Sequence, residues 1–548
     1  MKKLGRFMML ALVVGLVVYA GSASAGKSLV VFSDVTDEAG VNQKGHSKGI
    51  AFYDYDRDGY ADILVSNKGG RNALFHNKHD GTFADVTESS GAYDNGFGMG
   101  SVFADFDNDG IADLYIPKGG RVEIEANKLM RGIGDGKFVE VTKEAGVGCK
   151  DFSYGSLACD FDHDSKIDLV VINYGVNSKN RMFHNESTPG HIKFKEVTDE
   201  AGLTEHGWSW SATTADVNKD GWTDLYVSRG RYPAGEPNKM YLNVSTPGHI
   251  KFADISKESG LDDKDWTLGA AFADYDNDGN LDCYISNYIG PNKLFKGDGT
   301  GHFVETTHVA KLDDKPDHWG KGPVWGDINN DGYMDLYEGD CKFSGQLYMN
   351  NGDGSFANVT EQNPCVKMET VRKKGAAMAD YDNDGDLDMF VACWAVPSRL
   401  FKNATNDGNW LQVDCKGTVS SKDPIGAKVS VFDSGQLANM KAYRGMREVQ
   451  TATGFCSQNM LTQHFGLNAS KTYDVEVVFP SGLIAYALDQ KTGHRITITE
   501  PASIAQQNEL YPLAKVDAGQ RFPLSPFVMA PSTPSAHGDV LNARAVVK

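Results

Sequence analysis

A nine-residue acidic loop occurs seven times in the sequence and has the composition of a metal site. Its first copy is Asp54-Tyr55-Asp56-Arg57-Asp58-Gly59-Tyr60-Ala61-Asp62. Carboxylates at positions 1, 3, 5 and 9 and the backbone carbonyl at position 7 are the oxygen ligands that a hard cation such as Ca²⁺ prefers. Asp side chains this close together repel one another unless a cation is bound. The sequence therefore predicts up to seven calcium sites.

The predicted ligands follow the same pattern in every copy, with the residue at position 7 acting through its carbonyl. They are Asp54, Asp56, Asp58, Tyr60 and Asp62; Asp105, Asp107, Asp109, Ile111 and Asp113; Asp160, Asp162, Asp164 and Asp168; Asp216, Asn218, Asp220, Trp222 and Asp224; Asp274, Asp276, Asp278, Asn280 and Asp282; Asp327, Asn329, Asp331, Tyr333 and Asp335; and Asp380, Asp382, Asp384, Asp386 and Asp388. An EF-hand is excluded because position 12 of the first loop is Val65 and both flanks have the pattern of strands.

The loops are not expected to bind calcium equally. Ser165 replaces the Gly of the third loop, where the turn needs a conformation that a side chain resists. Asn218 and Asn329 each remove one charge from position 3. We predict that these three loops bind calcium most weakly.

Each loop lies between the same two apolar segments, and this context predicts the fold. Successive loops begin 51 to 58 residues apart, a length that suits four short strands. The sequence thus predicts an all-β protein with a seven-bladed β-propeller over residues 28–405. The segment 32–36 resembles the fourth strand that the last repeat lacks, so it is expected to pair with that repeat and close the ring.

Composition limits the function. The formal net charge of −19 argues against a nucleic-acid partner, and seven Ca²⁺ ions would offset fourteen of these charges. A basic start, an apolar stretch and Ala23-Ser24-Ala25 predict a signal peptide over residues 1–25 and a secreted, periplasmic or cell-surface protein with no membrane span after cleavage. Eight Cys residues in such a compartment make disulfides plausible, although the sequence does not define their pairing.

The repeats resemble the FG-GAP/VCBS repeat of integrin α-subunit propellers. Residues 409–500 have alternating strand patterns and resemble the ASPIC/UnbV module, through Asn409-Trp410-Leu411, Pro424-Ile425-Gly426-Ala427, Gln463-His464-Phe465-Gly466-Leu467 and Pro480-Ser481-Gly482. The combination is similar to the cartilage acidic protein family. The resemblance implies calcium binding and an adhesion or matrix-type role.

Two features of the C-terminal part carry further expectations. Gly454-Phe455-Cys456-Ser457-Gln458 departs from the family pattern by including a Cys, which makes Cys415 and Cys456 candidates for a disulfide within the module. His464 has an apolar setting and is expected to be a hydrogen-bonded core residue. Residues 501–548 are rich in Pro, Ala and Ser and predict a flexible tail.

A ligand is expected on the face opposite the acidic loops, where the connections carry aromatic and basic residues. These side chains suit stacking on sugars or contact with an anionic partner, and the alternative is that the aromatic ones fill the channel. The candidate ligand-binding residues are Arg71, Arg121, Trp208, Arg229, Arg231, Trp266 and Trp319.

The leading interpretation is a binding, adhesion or scaffold protein for an extracellular or envelope protein or glycan. An enzyme acting on a polysaccharide is less favoured because no nucleophile and base occur at a recognisable spacing, and because the Asp residues are assigned to calcium. A third interpretation is a subunit of an extracellular assembly.

Overall fold

The computed structural model describes residues 30–119, 125–231, 235–313, 318–369, 371–405 and 407–511. The predicted signal peptide, Arg121 and residues 512–548 of the predicted tail lie outside the described residues. The expectation of a flexible tail is wrong for residues 501–511, which contain a short helix, and the Gln507 side chain there accepts a hydrogen bond from the Ile484 N–H at 2.8 Å. The described chain is all-β, with short helices at α1 (Thr142–Ala145), α2 (Ser256–Ser259), α3 (Pro364–Lys367) and α4 (Ile504–Leu510) and a 3-10 helix at Thr360–Gln362. None of these helices is long and apolar enough to cross a membrane.

The repeats form four-stranded antiparallel units, of which the described residues contain seven, and additional strand pairs join some neighbouring units into sheets of nine and eight strands. The first strand of a unit leads into an acidic loop and the second strand leaves it. The strands of the first three units, together with β1 and the additional strand β6, are β1 (Phe32–Asp34), β2 (Lys44–Tyr53), β3 (Asp62–Arg71), β4 (Ala73–Asn77), β5 (Phe83–Asp85), β6 (Asn95–Phe97), β7 (Val102–Ala104), β8 (Asp113–Ile116), β9 (Lys128–Gly132), β10 (Phe138–Glu140), β11 (Ser153–Cys159), β12 (Asp168–Lys179), β13 (Arg181–Asn185) and β14 (Phe194–Glu196).

The remaining four units continue the same order. Their strands are β15 (His206–Ala215), β16 (Asp224–Arg229), β17 (Lys239–Asn243), β18 (Phe252–Asp254), β19 (Trp266–Ala273), β20 (Asp282–Ile289), β21 (Lys293–Gly297), β22 (Phe303–Glu305), β23 (Val324–Gly326), β24 (Asp335–Glu338), β25 (Gln346–Asn350), β26 (Phe356–Asn358), β27 (Arg372–Ala379), β28 (Asp388–Pro397) and β29 (Arg399–Asn403). The last unit is completed by β1, which pairs antiparallel with β29 in the register Phe32 to Asn403, as the sequence predicted.

The units pack face to face because strand residues alternate between the two sides of a sheet. In β2, the Phe52 ring lies 6.4 Å from Phe390 of the seventh unit. The next residue, Tyr53, points the other way, and its ring lies 5.2 Å from Phe103 of the second unit. Each unit is therefore buried on both faces, and this arrangement is a β-propeller.

The C-terminal module is a separate pair of sheets with its own core. Its strands are β30 (Trp410–Lys416), β31 (Lys428–Asp433), β32 (Tyr443–Glu448), β33 (Gln463–Gly466), β34 (Tyr473–Val478), β35 (Ile484–Gln490) and β36 (His494–Thr499). One sheet has the order β33-β30-β36 and the other has the order β32-β31-β34-β35. Residues such as Leu411, Val429 and Phe465 form the core between them.

Candidate functional site

The acidic loops are held in one conformation by backbone donors. Asp54 at position 1 accepts hydrogen bonds from the N–H groups of Asp58 and Gly59, both at 2.9 Å. Asp62 at position 9 accepts from the N–H groups of Tyr55 at 3.3 Å and Asn77 at 2.7 Å. The same bonds recur in the other loops, so the carboxylates are directed toward one point before any ion binds.

The turn at position 6 needs a positive φ, which explains its Gly residues. Gly59 has φ 89° and Gly110 has φ 96°. Ser165 adopts φ 71° at the same place in the third loop, a conformation that costs energy for a residue with a side chain. The predicted strain of this loop is present, whereas its weaker calcium binding stays a prediction.

Buried oxygens without partners show that the loops fit a cation. Among the described residues, carboxylate oxygens of Asp56, Asp162, Asp276 and Asp382, all at position 3, are buried and lack a hydrogen-bond donor. In the third loop, ligand atoms of Asp160, Asp162 and Asp164 lie within 4.8 Å of one another. Burial raises the pKa of Asp160 to about 8. Such oxygens are unfavourable unless a cation coordinates them.

Two kinds of loop can be distinguished by a residue on the third strand of each unit. Where position 3 is Asp, this residue is basic, and the five examples are His76, Arg131, His184, Lys296 and Lys402. Nδ1 of His76 lies 3.3 Å from a carboxylate oxygen of Asp56, and Nε2 of His184 lies 3.1 Å from one of Asp162. The sequence analysis missed these residues, although their regular position within each repeat is visible in the sequence.

Where position 3 is Asn, the third-strand residue is apolar. Leu242 and Met349 occupy this place in the fourth and sixth units. The Asn218 amide donates instead to Asp220 at 2.8 Å, and that of Asn329 donates to Asp331 at 3.1 Å. The chain therefore places a basic residue beside each loop that has the additional negative charge.

The C-terminal module covers the face that carries the acidic loops. The Tyr443 hydroxyl donates to Asp274 and the Gln412 amide donates to Asp380, both at 2.7 Å. The Gly466 N–H donates to Asp327 at 2.7 Å, and Lys428 forms an ion pair with Asp216. Position 1 of four loops is thus contacted by the module.

His464 lies at the same interface. It is buried, and its Nε2 atom lies 2.8 Å from Oδ1 of Asn330, so it is the hydrogen-bonded core residue that the sequence predicted.

One segment of the module, residues 451–459, enters the channel, and we call it the plug. It contacts every one of the seven units, through their first strands or the residue preceding β23. The contacts are Gln458 with Ile50 and Phe103, Thr451 with Ala158, Ala452 with Thr213, Gly454 with Ala270 and Pro323, and Asn459 with Met378. The plug approaches closely: a Cβ on Gly49 would lie 1.9 Å from the carbonyl oxygen of Cys456.

The expected disulfide between Cys415 and Cys456 is wrong. All eight cysteines are free. Cys415 lies on β30 of the module, whereas Cys456 is in the plug, where its thiol donates to the carbonyl of Tyr154 at 3.1 Å. The plug extends away from the module core, and this separates the two sulfur atoms.

The opposite end of the channel brings the predicted aromatic residues together in one arc. Trp208 lies 4.2 Å from Tyr174, which in turn contacts Trp210. Trp210 lies 5.7 Å from Trp266, and the arc continues through Tyr288 to Trp319 with ring centroids 5.0 Å apart. Trp208, Trp266 and Trp319 are half-buried, so part of each ring faces outward.

The predicted arginines do not act as one group. Arg229 is buried and donates to Glu236 at 3.1 Å and to the His206 carbonyl at 2.7 Å, so it is a structural residue rather than a ligand contact. Arg71 is paired with Asp85. Arg231 is exposed and lies 4.3 Å from the ring of Trp208.

The fold and the loops define a β-propeller built from acidic-loop repeats, and comparison with known families agrees. The FG-GAP-like repeat model matches residues 32–116, 160–227, 274–338 and 344–391, and the ASPIC and UnbV model matches residues 417–505. The unmatched internal stretches 117–159 and 228–273 contain β9–β11 and β17–β19 of the same units. The chain thus combines FG-GAP-like repeats with an ASPIC and UnbV domain.

Over most of its length the chain is similar to cartilage acidic protein 1. It is 24% identical to the Xenopus tropicalis protein over 507 residues, covering 84% of this chain and 75% of that one. It is 22% identical to the Homo sapiens protein over 519 residues, covering 86% and 75%.

Two solved structures are also similar. YCF48 from Cyanidioschyzon merolae aligns with a TM-score of 0.41 and 9% identity, covering 67% of this chain and 98% of that chain. BBS1N in complex with ARL6DN aligns with a TM-score of 0.40 and 8% identity, covering 66% and 94%.

Proposed function

We propose that the protein is an exported, calcium-stabilised, seven-bladed propeller that binds an extracellular or cell-envelope protein or glycan and has no catalytic activity. The closed ring is supported by the pairing of β1 with β29 and by the plug, which contacts all seven units around one channel. Export is proposed from the signal-peptide pattern of residues 1–25.

The observation that carries the binding role is the difference between the two faces. The module covers the acidic-loop face, whereas the opposite mouth presents the half-buried rings of Trp208, Trp266 and Trp319 and the exposed Arg231. Aromatic rings with a neighbouring guanidinium suit sugars and polar protein surfaces. We therefore propose that the partner binds at this mouth.

Calcium has a structural role in this proposal. The buried position 3 oxygens of Asp56, Asp162, Asp276 and Asp382 would become Ca²⁺ ligands. The bound ion would then offset the repulsion between the carboxylates of each loop. Thermal unfolding of the mature protein in EGTA and in millimolar Ca²⁺, with Mg²⁺ as the control, tests this. We expect a large rise in Tm with Ca²⁺ and several bound ions by elemental analysis. An equal Tm in EGTA and Ca²⁺ with no bound metal would contradict it.

The binding face is tested by surveying immobilised glycans and extracellular proteins with the wild-type protein in Ca²⁺. Trp208→Ala and Arg231→Ala should each weaken capture of a binder about ten-fold or more, since they remove a ring and its cation. Tyr486→Ala, which removes a half-buried ring on β35 of the C-terminal module, is the matched control and should bind normally. Equal loss in all three variants would place the partner elsewhere.

A further inference from the structure

One layer of the channel is formed by a single residue from each unit. It lies six positions before the first Asp of each acidic loop. Four units place an apolar residue there, and three units place a lysine. The layer consists of Lys48, Met99, Tyr154, Trp210, Leu268, Lys321 and Lys374.

The apolar half of the layer is packed against the plug. Met99, Tyr154, Trp210 and Leu268 form one buried cluster with Phe455 and Cys456. These residues act as channel filler, which is the alternative that the sequence analysis considered for the aromatic residues. Their burial is ordinary core packing.

The other half is different, because the sixth, seventh and first units place their lysines side by side. A Cβ on Gly322 would lie 2.3 Å from the carbonyl oxygen of Lys374, and one on Gly375 would lie 3.1 Å from that of Lys48. Nζ of Lys321 lies 3.9 Å from the centroid of the Phe455 ring. Nζ of Lys48 and Nζ of Lys374 lie 4.8 and 5.6 Å from the centroid of Trp394.

The three ammonium groups have no carboxylate partner among the described residues. Their side chains are only 6% (Lys48), 4% (Lys321) and 8% (Lys374) exposed, yet none forms an ion pair there. Nζ of Lys374 donates to Sγ of Cys341 at 3.3 Å. Buried lysines are ordinarily paired with a carboxylate, so three adjacent ammonium groups without one indicate a missing anion.

Electrostatics supports this interpretation. Burial, and then the positive charge of Lys374, lower the pKa of Lys321 to about 7. Burial, followed by Lys321 and Lys374, also lowers the pKa of Lys48. An anion between these groups would remove their mutual repulsion.

We propose that this end of the channel binds a small organic anion, with its charged group among Lys48, Lys321 and Lys374 and its planar apolar body against Tyr288, because the Trp394 ring is already stacked on His46 at 4.2 Å. The Tyr288 ring is half-buried, and its centroid lies 6.0 Å from Nζ of Lys321. Cation–π contacts already orient the ammonium groups, and the anion completes their coordination. This site goes beyond the proposed function, since it requires neither calcium nor a macromolecular partner.

The test is calorimetric titration of the full-length protein with three probes: benzoate, its neutral analogue benzamide, and inorganic phosphate. We expect benzoate to bind about ten-fold or more tightly than benzamide, because only benzoate carries the charge, and more tightly than phosphate, because only benzoate carries the ring. Equal binding of benzoate and benzamide, or no binding of any probe, would overturn the site. If phosphate binds as tightly as benzoate, the proposal that the ligand has a planar apolar body is wrong.

Substitutions of the lysines test whether they form the anion site. Lys321→Met and Lys48→Met should each lower benzoate affinity about ten-fold, whereas the exposed Lys257→Met should not change it. Both site variants should fold, since Met keeps the volume and removes a buried charge, and each should raise the Tm without benzoate. Benzoate should raise the Tm of the wild type but not of these variants. Unchanged affinity in both would overturn the assignment.

Discussion

The two ends of the channel carry opposite charge, and their charged groups differ in the partners that they contact. At the acidic end, position 1 carboxylates receive backbone N–H donors and side chains of the module, as Asp274 does from Tyr443. At the basic end, the ammonium groups of Lys48, Lys321 and Lys374 are buried and form no ion pair with a carboxylate of the described residues. In our proposals the acidic end holds a cation within the molecule, whereas the basic end binds an anion that arrives from solution.

The plug separates these two ends, and disrupting it should have the largest effect. Gly49→Ala places a Cβ 1.9 Å from the Cys456 carbonyl oxygen, so we expect a loss of about 3 kcal/mol or more in the free energy of unfolding. Urea unfolding in Ca²⁺ measures it. Gly70→Ala is the matched control, because a Cβ there meets nothing within 4 Å. If the two variants unfold alike, the plug does not contribute to stability.

The uncompensated charge at the basic end should appear in the pH dependence of stability. The folded pKa of Lys321 is about 7, below that of an exposed lysine, so between about pH 7 and 10 the unfolded chain binds more protons. The free energy of unfolding should therefore rise with pH through this window, by about 1–2 kcal/mol relative to Lys321→Met. The penalty is fully present below pH 7.

The groups that act on Lys321 are Lys374, Cys341, Cys456 and Lys68, and Lys321 in turn acts on Lys48. Chemical denaturation of both proteins at several pH values isolates the Lys321 contribution, because these neighbours are common to both. A constant difference between the wild type and Lys321→Met from pH 6 to 10 would contradict the expectation.

The smallest expected effect concerns the two kinds of acidic loop. Lys402 contacts Asp382 and lies 3.1 Å from Asp384, so under the proposed function it would compete with Ca²⁺ for the same oxygens. Lys402→Met should raise the calcium affinity of the seventh loop a few-fold, by less than about 1 kcal/mol. Calcium titration followed by calorimetry measures it, with the exposed Lys416→Met as the control. Lower affinity in Lys402→Met would show that Lys402 supports the site.

The repeat unit, its four strands and the positions of the acidic loops could be predicted from the sequence because each depends on local pattern. A turn such as that at Gly59 needs a residue free to adopt φ 89°, and alternation along β2 requires that Phe52 and Tyr53 face opposite neighbours. The pairing of β1 with β29 was also predictable, since a repeat without its last strand leaves an unpaired edge.

The lysine layer, the plug and the structural role of Arg229 could not be predicted in this way. Lys48 and Lys321 are 273 residues apart, and each has the sequence context of an ordinary surface residue. They become neighbours of the same channel only when the ring closes and residues 451–459 enter it. The burial of these lysines and their lack of carboxylate partners depend on the closed ring and the inserted plug, and no local sequence pattern encodes either.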